Sequence, residues 1–89
     1  MKGSLIARRL GSAVRRRREA LDLGQAEIAR KLQMSRLYYD SIECGERNVS
    51  MDTLERLCRV LRVKAWELMQ QAEGRSSSKS RKRAPRRSA

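Results

Sequence analysis

The 89-residue chain has no histidine, no phenylalanine, one proline and three aromatic residues, Tyr38, Tyr39 and Trp66. A core for this chain must therefore be built from Leu, Ile, Val, Met and Ala, a set that suits packed helices better than strands. We expect one compact, all-α domain. Because so short a chain buries only about 60% of its unfolded surface, self-association would add useful burial.

The chain also lacks the combinations of residues that catalytic and metal sites need. Cys44 and Cys58 form no CxxC pair, and without histidine a tetrahedral zinc site is short of ligands. We expect two free thiols, with Cys58 in the core. No nucleophile with a base, no paired carboxylates and no glycine-rich phosphate loop is evident. The sequence therefore predicts no catalytic residue, no metal, no cofactor and no enzyme activity.

Long apolar runs are absent as well. No stretch approaches the roughly 20 apolar residues of a membrane span, and the first residues lack the apolar region of a secretory signal. We expect a cytoplasmic protein that associates with the nucleoid and does not contact a membrane.

Acidic residues are few: 10 against 22 basic ones, a net charge of +12. Seven of the basic residues fall in residues 74–89, which contain no acid and no large apolar residue, so this segment is predicted to be a disordered basic tail. Residues 1–73, the predicted domain, keep 15 basic and 10 acidic residues, a net charge of +5. Such a balance favours a polyanionic partner. For the tail we favour attraction to nucleic acid over a merely solubilising role.

Apolar residues recur at helical spacing in five segments. The spacing predicts helices over residues 5–21, 25–32 and 36–43, a fourth that begins after Ser50, and a fifth over 65–72. Ser35 and Ser50 are suitable N-caps, and Gly45 suits a left-handed helix end. The predicted fold is a five-helix bundle.

A very tight turn joins the predicted second and third helices, which is typical of the helix-turn-helix. The segment GQAEIARKLQMSRLYYDSIECGERNVSMDTLERL resembles the lambda-repressor-like (Cro/CI, XRE-type) family of regulators. The matching positions are Gln25, Ile28, Ala29, Leu32, Met34, Ser35, Tyr39, Ile42, Glu43 and Gly45. The likeness spans roughly residues 8–70. Gln33 departs from the pattern, because the family usually has glycine there. A positive φ is uncommon in other residues, so we expect a strained or slightly reshaped turn.

Arg18 falls on the apolar stripe of the first helix, where a charge needs a partner. The resemblance implies that an arginine at this place pairs with a glutamate near the end of the third helix. Glu43 shares the inward arc of that helix with Tyr39 and Ile42. We therefore predict an Arg18–Glu43 ion pair.

The outward side of the third helix is predicted to contact DNA bases. Arg36 suits guanine O6 and N7, and Leu37 suits a thymine methyl group. Asp40 either accepts from cytosine N4 or orients Arg36, and we favour the orienting role. Ser41 points outward beside them. The predicted base-reading residues are Arg36, Leu37, Asp40 and Ser41. The resemblance implies phosphate contacts from Gln25, Ser35, Tyr38, Arg47, Asn48 and Ser50.

The leading functional interpretation is a sequence-specific DNA-binding transcriptional regulator, a repressor that binds a palindromic operator on double-stranded DNA as a homodimer. An architectural protein that coats DNA without sequence preference is the alternative, and an RNA-binding adaptor ranks third. Trp66, with Met69, either contributes to a dimer interface or lies at the edge of the core. No small-molecule ligand is expected. In size the chain resembles restriction-modification controllers, antitoxins and small phage regulators, which the sequence does not separate.

Overall fold

The computed structural model describes residues 3–74, which form five α-helices. They are α1 (Leu5–Ala20), α2 (Gln25–Lys31), α3 (Arg36–Glu43), α4 (Met51–Leu61) and α5 (Ala65–Gly74). No strand occurs in this part of the chain, so the prediction of an all-α, five-helix fold is confirmed. Beyond Gly74, with which α5 ends, the predicted tail lies outside the described residues.

Serine side chains define the start of three helices. Ser4, Ser35 and Ser50 each precede a helix in extended conformation. Their side-chain oxygens accept hydrogen bonds from backbone N–H groups three residues on, at 3.1, 3.0 and 3.0 Å. Each cap satisfies a backbone donor that has no partner inside its own helix.

The core lies where α1 packs against α3, α4 and α5, and all five helices contribute to it. Its largest fully buried side chains are Tyr39, Ile28, Leu32, Ile42, Leu57, Leu61, Leu68 and Val14. Cys58 is buried among them, and burial raises the pKa of its thiol. Trp66 is 63% exposed, which excludes the interpretation that placed it at the core edge. Its position off the apolar stripe of α5 turns the indole to solvent.

A residue with left-handed backbone follows each of four helices, and only one of these four residues is a glycine. Gly45, after α3, has a φ of 74°. Asp22, Gln33 and Arg62 adopt φ values of 62°, 60° and 58° after α1, α2 and α4. The left-handed conformation costs a residue with a Cβ about 1–2 kcal/mol. The turn between α2 and α3 is therefore strained at Gln33, as predicted for a residue other than glycine at this place.

Two arginines bind the carbonyl groups at the ends of other helices. Arg17 on α1 donates to the backbone oxygens of Leu61 and Arg62 at 2.9 and 3.0 Å. Arg56 on α4 donates to the backbone oxygen of Leu32, which follows α2. These bonds satisfy carbonyls left open where α4 and α2 stop, and they place a positive charge at each C-terminus.

The first half of α1 lies directly on the end of α3. A Cβ atom at Gly11 would sit 2.4 Å from the Ile42 oxygen and 2.6 Å from the Glu43 oxygen, so only glycine allows this approach. Just before α1, the Gly3 N–H donates to the Gly45 oxygen at 3.0 Å. Residues 3–11 thus fix the end of α3 in place. None of the helices in residues 3–74 is long and apolar enough to cross a bilayer.

Candidate nucleic-acid interface

Helix α3 is held by one side and free on the other. Tyr39, Ile42 and Glu43 are buried, with at most 8% of their surface exposed. Leu37 is 74% exposed, although it lies in the same helix. A large apolar side chain this exposed on a firmly held helix gains nothing from the fold of its own chain. The outward face of α3 thus presents an apolar side chain to solvent.

The Glu43 carboxylate organises the inward side of α3. It accepts from Arg18 Nε at 2.5 Å and Arg18 Nη2 at 3.2 Å, from the Tyr39 hydroxyl at 2.5 Å, and from Gln25 Nε2 at 2.9 Å. The remaining Arg18 nitrogen, Nη1, donates to the Leu23 oxygen at 2.8 Å. The predicted partners Arg18 and Glu43 thus lie in contact, with a bidentate geometry that joins α1 to α3.

These contacts shift the titration of all three ionisable groups. Burial raises the pKa of the Glu43 carboxyl, but hydrogen bonds from Arg18, Tyr39 and Gln25 outweigh burial and hold that pKa below its usual value. Burial, and then the Glu43 carboxylate, raise the pKa of the Tyr39 hydroxyl. The hydrogen bond to Glu43 raises the pKa of Arg18. The pair therefore stays ionised, and Tyr39 stays neutral, throughout the neutral range.

Gln25 links the buried pair to the exposed face. Its amide Nε2 donates to Asp40 Oδ1 at 2.8 Å as well as to Glu43, and its Oε1 accepts from Arg36 Nη1 at 2.9 Å. The interpretation that Asp40 orients Arg36 requires a direct contact between the two side chains. The structure instead joins each of them to Gln25. The Gln25 amide lies between them because it offers an acceptor to one and a donor to the other.

A second cluster lies where α3 leads into the following loop. The Arg47 guanidinium carbon stands 4.5 Å from the centre of the Tyr38 ring. Arg47 Nε donates to Ser41 Oγ at 2.7 Å, and the Ser41 hydroxyl donates to the backbone carbonyl oxygen of Tyr38 at 2.5 Å. Ser41, predicted to read bases, has its hydroxyl engaged in this cluster. Ring and hydroxyl together hold Arg47 beside α3.

The other predicted phosphate contacts lie at helix starts and in the loop. Ser35 and Ser50 are exposed caps of α3 and α4. The Asn48 Oδ1 atom accepts from the Ser4 N–H at 3.1 Å, and the Asn48 side chain is exposed. The sequence did not predict three of these features: the Asn48–Ser4 contact, the hydrogen bonds of Gln25 to three side chains, and the hydrogen bond from the Tyr39 hydroxyl to Glu43. Each depends on groups that only the fold brings together.

Cys44 is exposed beside this face, and its Sγ donates weakly to Asp40 Oδ2 at 3.7 Å. Burial, and then the Asp40 and Glu46 carboxylates, raise the pKa of the thiol. A thiol with a raised pKa is a poor nucleophile at neutral pH.

Comparison with known proteins places this geometry in a family. A family model described as a helix-turn-helix domain matches residues 9–70, which include all of α2 and α3. The chain belongs to the XRE-type helix-turn-helix family. The helix-turn-helix consists of α2, the turn at Gln33 and α3, with α3 in the place of the recognition helix.

Individual relatives of this helix-turn-helix protein are regulators. Control protein C.MunI of Mycoplasma sp is 38% identical over 66 residues, which are 73% of this chain and 89% of the relative. The restriction-modification controller protein C.AhdI of Aeromonas hydrophila is 31% identical, with a TM-score of 0.66 over 70% of this chain and 94% of that one.

The clp gene regulator ClgR of C. glutamicum is 26% identical, with a TM-score of 0.77 over 81% of this chain and 94% of that one. As a member of this family, the helix-turn-helix protein is a DNA-binding protein that acts in transcription regulation, and it is not an enzyme.

Proposed function

We propose that this protein recognises a specific palindromic operator as a homodimer, with α3 of each copy in the major groove, and that it represses transcription by occupying its site. Two matched α3 helices about 34 Å apart would read successive turns of one face of the duplex. Residues 1–73 form the DNA-binding domain in this proposal, and residues 74–89 form a basic extension that adds affinity.

One observation carries the proposal: Leu37 is exposed on α3, and the fold holds one arginine at the start of that helix and another in the loop after it. Gln25 holds Arg36, and Tyr38 with Ser41 holds Arg47. An arginine whose side chain is already ordered loses less entropy when it forms two hydrogen bonds to guanine. We therefore assign Arg36 and Leu37 to base contact, and Ser41 and Asp40 to supporting positions behind them.

Phosphate contacts flank this reading surface. Donors around α3 come from the exposed Asn48 amide, the Ser35 cap hydroxyl, the Tyr38 hydroxyl and the Arg47 guanidinium. The Ser50 hydroxyl donates to Thr53 Oγ1 at 3.0 Å, so Ser50 contributes through the exposed start of α4. Both hydrogens of the Gln25 amide are used within the protein. Gln25 therefore contributes through the backbone N–H groups at the start of α2 rather than through its side chain.

The dimer supplies the symmetry that a palindromic operator needs. We place the interface around Trp66 and Met69 of α5, where an indole 63% exposed has no function in the monomer core. Replacement of Trp66 by Ala is expected to weaken self-association, measured by sedimentation equilibrium, without changing the helix content measured by circular dichroism. An unchanged dimer constant in W66A would place the interface elsewhere.

The test of specificity is binding of the full chain to fragments of genomic DNA with excess random DNA at about 150 mM salt. A few palindromic sites are expected to survive. Loss of all binding together would instead support an architectural coating protein. At a surviving site, Arg36→Ala is expected to cost about 1–3 kcal/mol and to relax one base position.

Arg59→Ala is the matched control, because Arg59 is an exposed arginine of α4 that pairs with Glu55 at 3.6 Å. It should alter binding to cognate and random DNA by the same small factor. If Arg36→Ala behaves in the same way as Arg59→Ala, then Arg36 does not read a base.

A further inference from the structure

An open groove lies where α1, α2 and α4 end. Leu21, Leu23 and Val60 line it, with Lys31 and Arg62 as its charged walls, and its volume is ≈ 450 Å³. The three apolar side chains are only half-buried. We propose that this groove is a docking surface for an acidic amphipathic helix of a partner protein.

Two residues with left-handed backbone lie beside the groove. Asp22, between the two leucines, and Arg62, on the wall, are two of the three non-glycine residues with left-handed backbone. Each residue follows the end of a helix, and glycine at either place would relieve the strain. At Arg62, the strained backbone presents a guanidinium on the wall that glycine could not supply.

Charge complementarity identifies the class of occupant. Lys31 and Arg62 are both exposed, and neither forms an ion pair within residues 3–74. Two cations beside an apolar floor suit a helix with leucine-like residues on one face and Asp or Glu along its edge. Residues 75–89 of the same chain are an unsuitable occupant, since they carry seven basic residues and no acid.

The groove is separate from the proposed DNA surface. It lies at the C-terminal end of α2, whereas Gln25, which contacts Arg36 of α3, begins that helix. Lys31 lies six residues after Gln25 in the same helix, which is about 9 Å along the axis. The groove and the start of α2, which contacts α3, thus lie at opposite ends of α2.

The probe for this surface is a capped synthetic peptide with Leu at helical i, i+3, i+4 spacing and Glu at most other positions, and a scrambled peptide of the same composition is its control. It is titrated into the full chain at about 150 mM salt, with amide chemical shifts and calorimetry as readouts. Shifts are expected at Leu21, Leu23, Lys31, Val60 and Arg62. The scrambled peptide is expected to bind at least several-fold more weakly.

One double variant in the groove and one control variant make the result specific. Lys31→Ala combined with Arg62→Gly is expected to weaken peptide binding about five- to tenfold, which is the size of two exposed charge contacts. Arg62→Gly also removes the left-handed strain, so a folding defect does not account for the loss. Arg30→Ala, next to Lys31 but outside the groove lining, is expected to change affinity less than about twofold.

Several outcomes would overturn the proposal. Equal weakening by Arg30→Ala, or equal binding of the scrambled peptide, would mean general attraction to a basic protein. Groove shifts that follow dilution without peptide would show that a second copy occupies the groove. Groove shifts on removal of residues 75–89 would show that the tail occupies it.

Discussion

Gly11 offers a test in which helix propensity and packing predict opposite signs. Glycine within a helix is less favourable than alanine by about 1 kcal/mol, so propensity alone predicts that Gly11→Ala stabilises the protein. The packing of α1 on α3 predicts destabilisation. The added Cβ would lie 2.4 Å from the Ile42 oxygen, 2.6 Å from the Glu43 oxygen and 2.9 Å from the Glu43 carbonyl carbon.

The size of the effect follows from how far α1 must move. Ordinary contacts of a Cβ begin near 3.4 Å, so the helices must separate by about 1 Å, and the obstructing atoms are backbone rather than flexible side chains. Overpacking of this kind costs about 1–3 kcal/mol, and a gap of about 1 Å between packed surfaces also forfeits up to half of their dispersion energy. We expect a net loss of about 2 kcal/mol.

Urea unfolding followed by circular dichroism measures this loss, since the helices themselves report it. The melting temperature should fall by roughly 10 °C. Gly24→Ala is the matched control: nothing lies within 4 Å of its Cβ position, and its φ of −82° suits alanine. It should change stability by less than about 1 kcal/mol. A Gly11→Ala variant as stable as the parent would refute the close approach of α1 to α3.

Three further predictions concern charge, strain and the tail. Glu43→Gln should lose about 3 kcal/mol at neutral pH, because it leaves the buried Arg18 without a counter-ion. Because folding lowers the pKa of Glu43, the stability that its carboxylate contributes is complete above the ordinary pKa of 4.5 and is lost as the pH falls through the folded pKa. The difference in unfolding free energy between parent and variant, measured by urea unfolding, should therefore close in acid. A gap independent of pH would exclude charge as its cause. Gln33→Gly should raise stability by about 0.5–1 kcal/mol in thermal melts, because the exposed side chain makes no hydrogen bond within residues 3–74 and the left-handed strain disappears; an unchanged or lower melting temperature would contradict it. Removal of residues 75–89 should weaken binding to all DNA and flatten its salt dependence while operator preference remains, whereas a lost preference would give the tail a reading role.

Local patterns in the sequence were sufficient to predict the fold. Helical periodicity and the family resemblance predicted the five helices, and the all-α class is confirmed. Arg18 and Glu43 were paired by periodicity and resemblance together, and the structure places them in contact. These features were accessible because each depends on spacing within one helix or on a motif with few alternatives.

The details of the site depend on atoms that the sequence keeps far apart. The Gln25 amide contacts side chains 11, 15 and 18 residues away, and Arg17 reaches a carbonyl 44 residues away. The direction of an amide or guanidinium in such networks is decided by which donors and acceptors remain after the helices have packed. Periodicity places Asp40 near Arg36, but it does not show that Gln25 takes the position between them.

The contacts before α1 bear on how this protein is handled in experiments. The Gly3 N–H binds the Gly45 oxygen and the Ser4 N–H binds Asn48, so the chain just ahead of α1 lies against the loop that we propose to touch phosphates. Any affinity tag or fluorescent protein fused ahead of Gly3 would emerge beside bound DNA. Binding constants measured with such a fusion should therefore not be compared directly with those of the unfused protein.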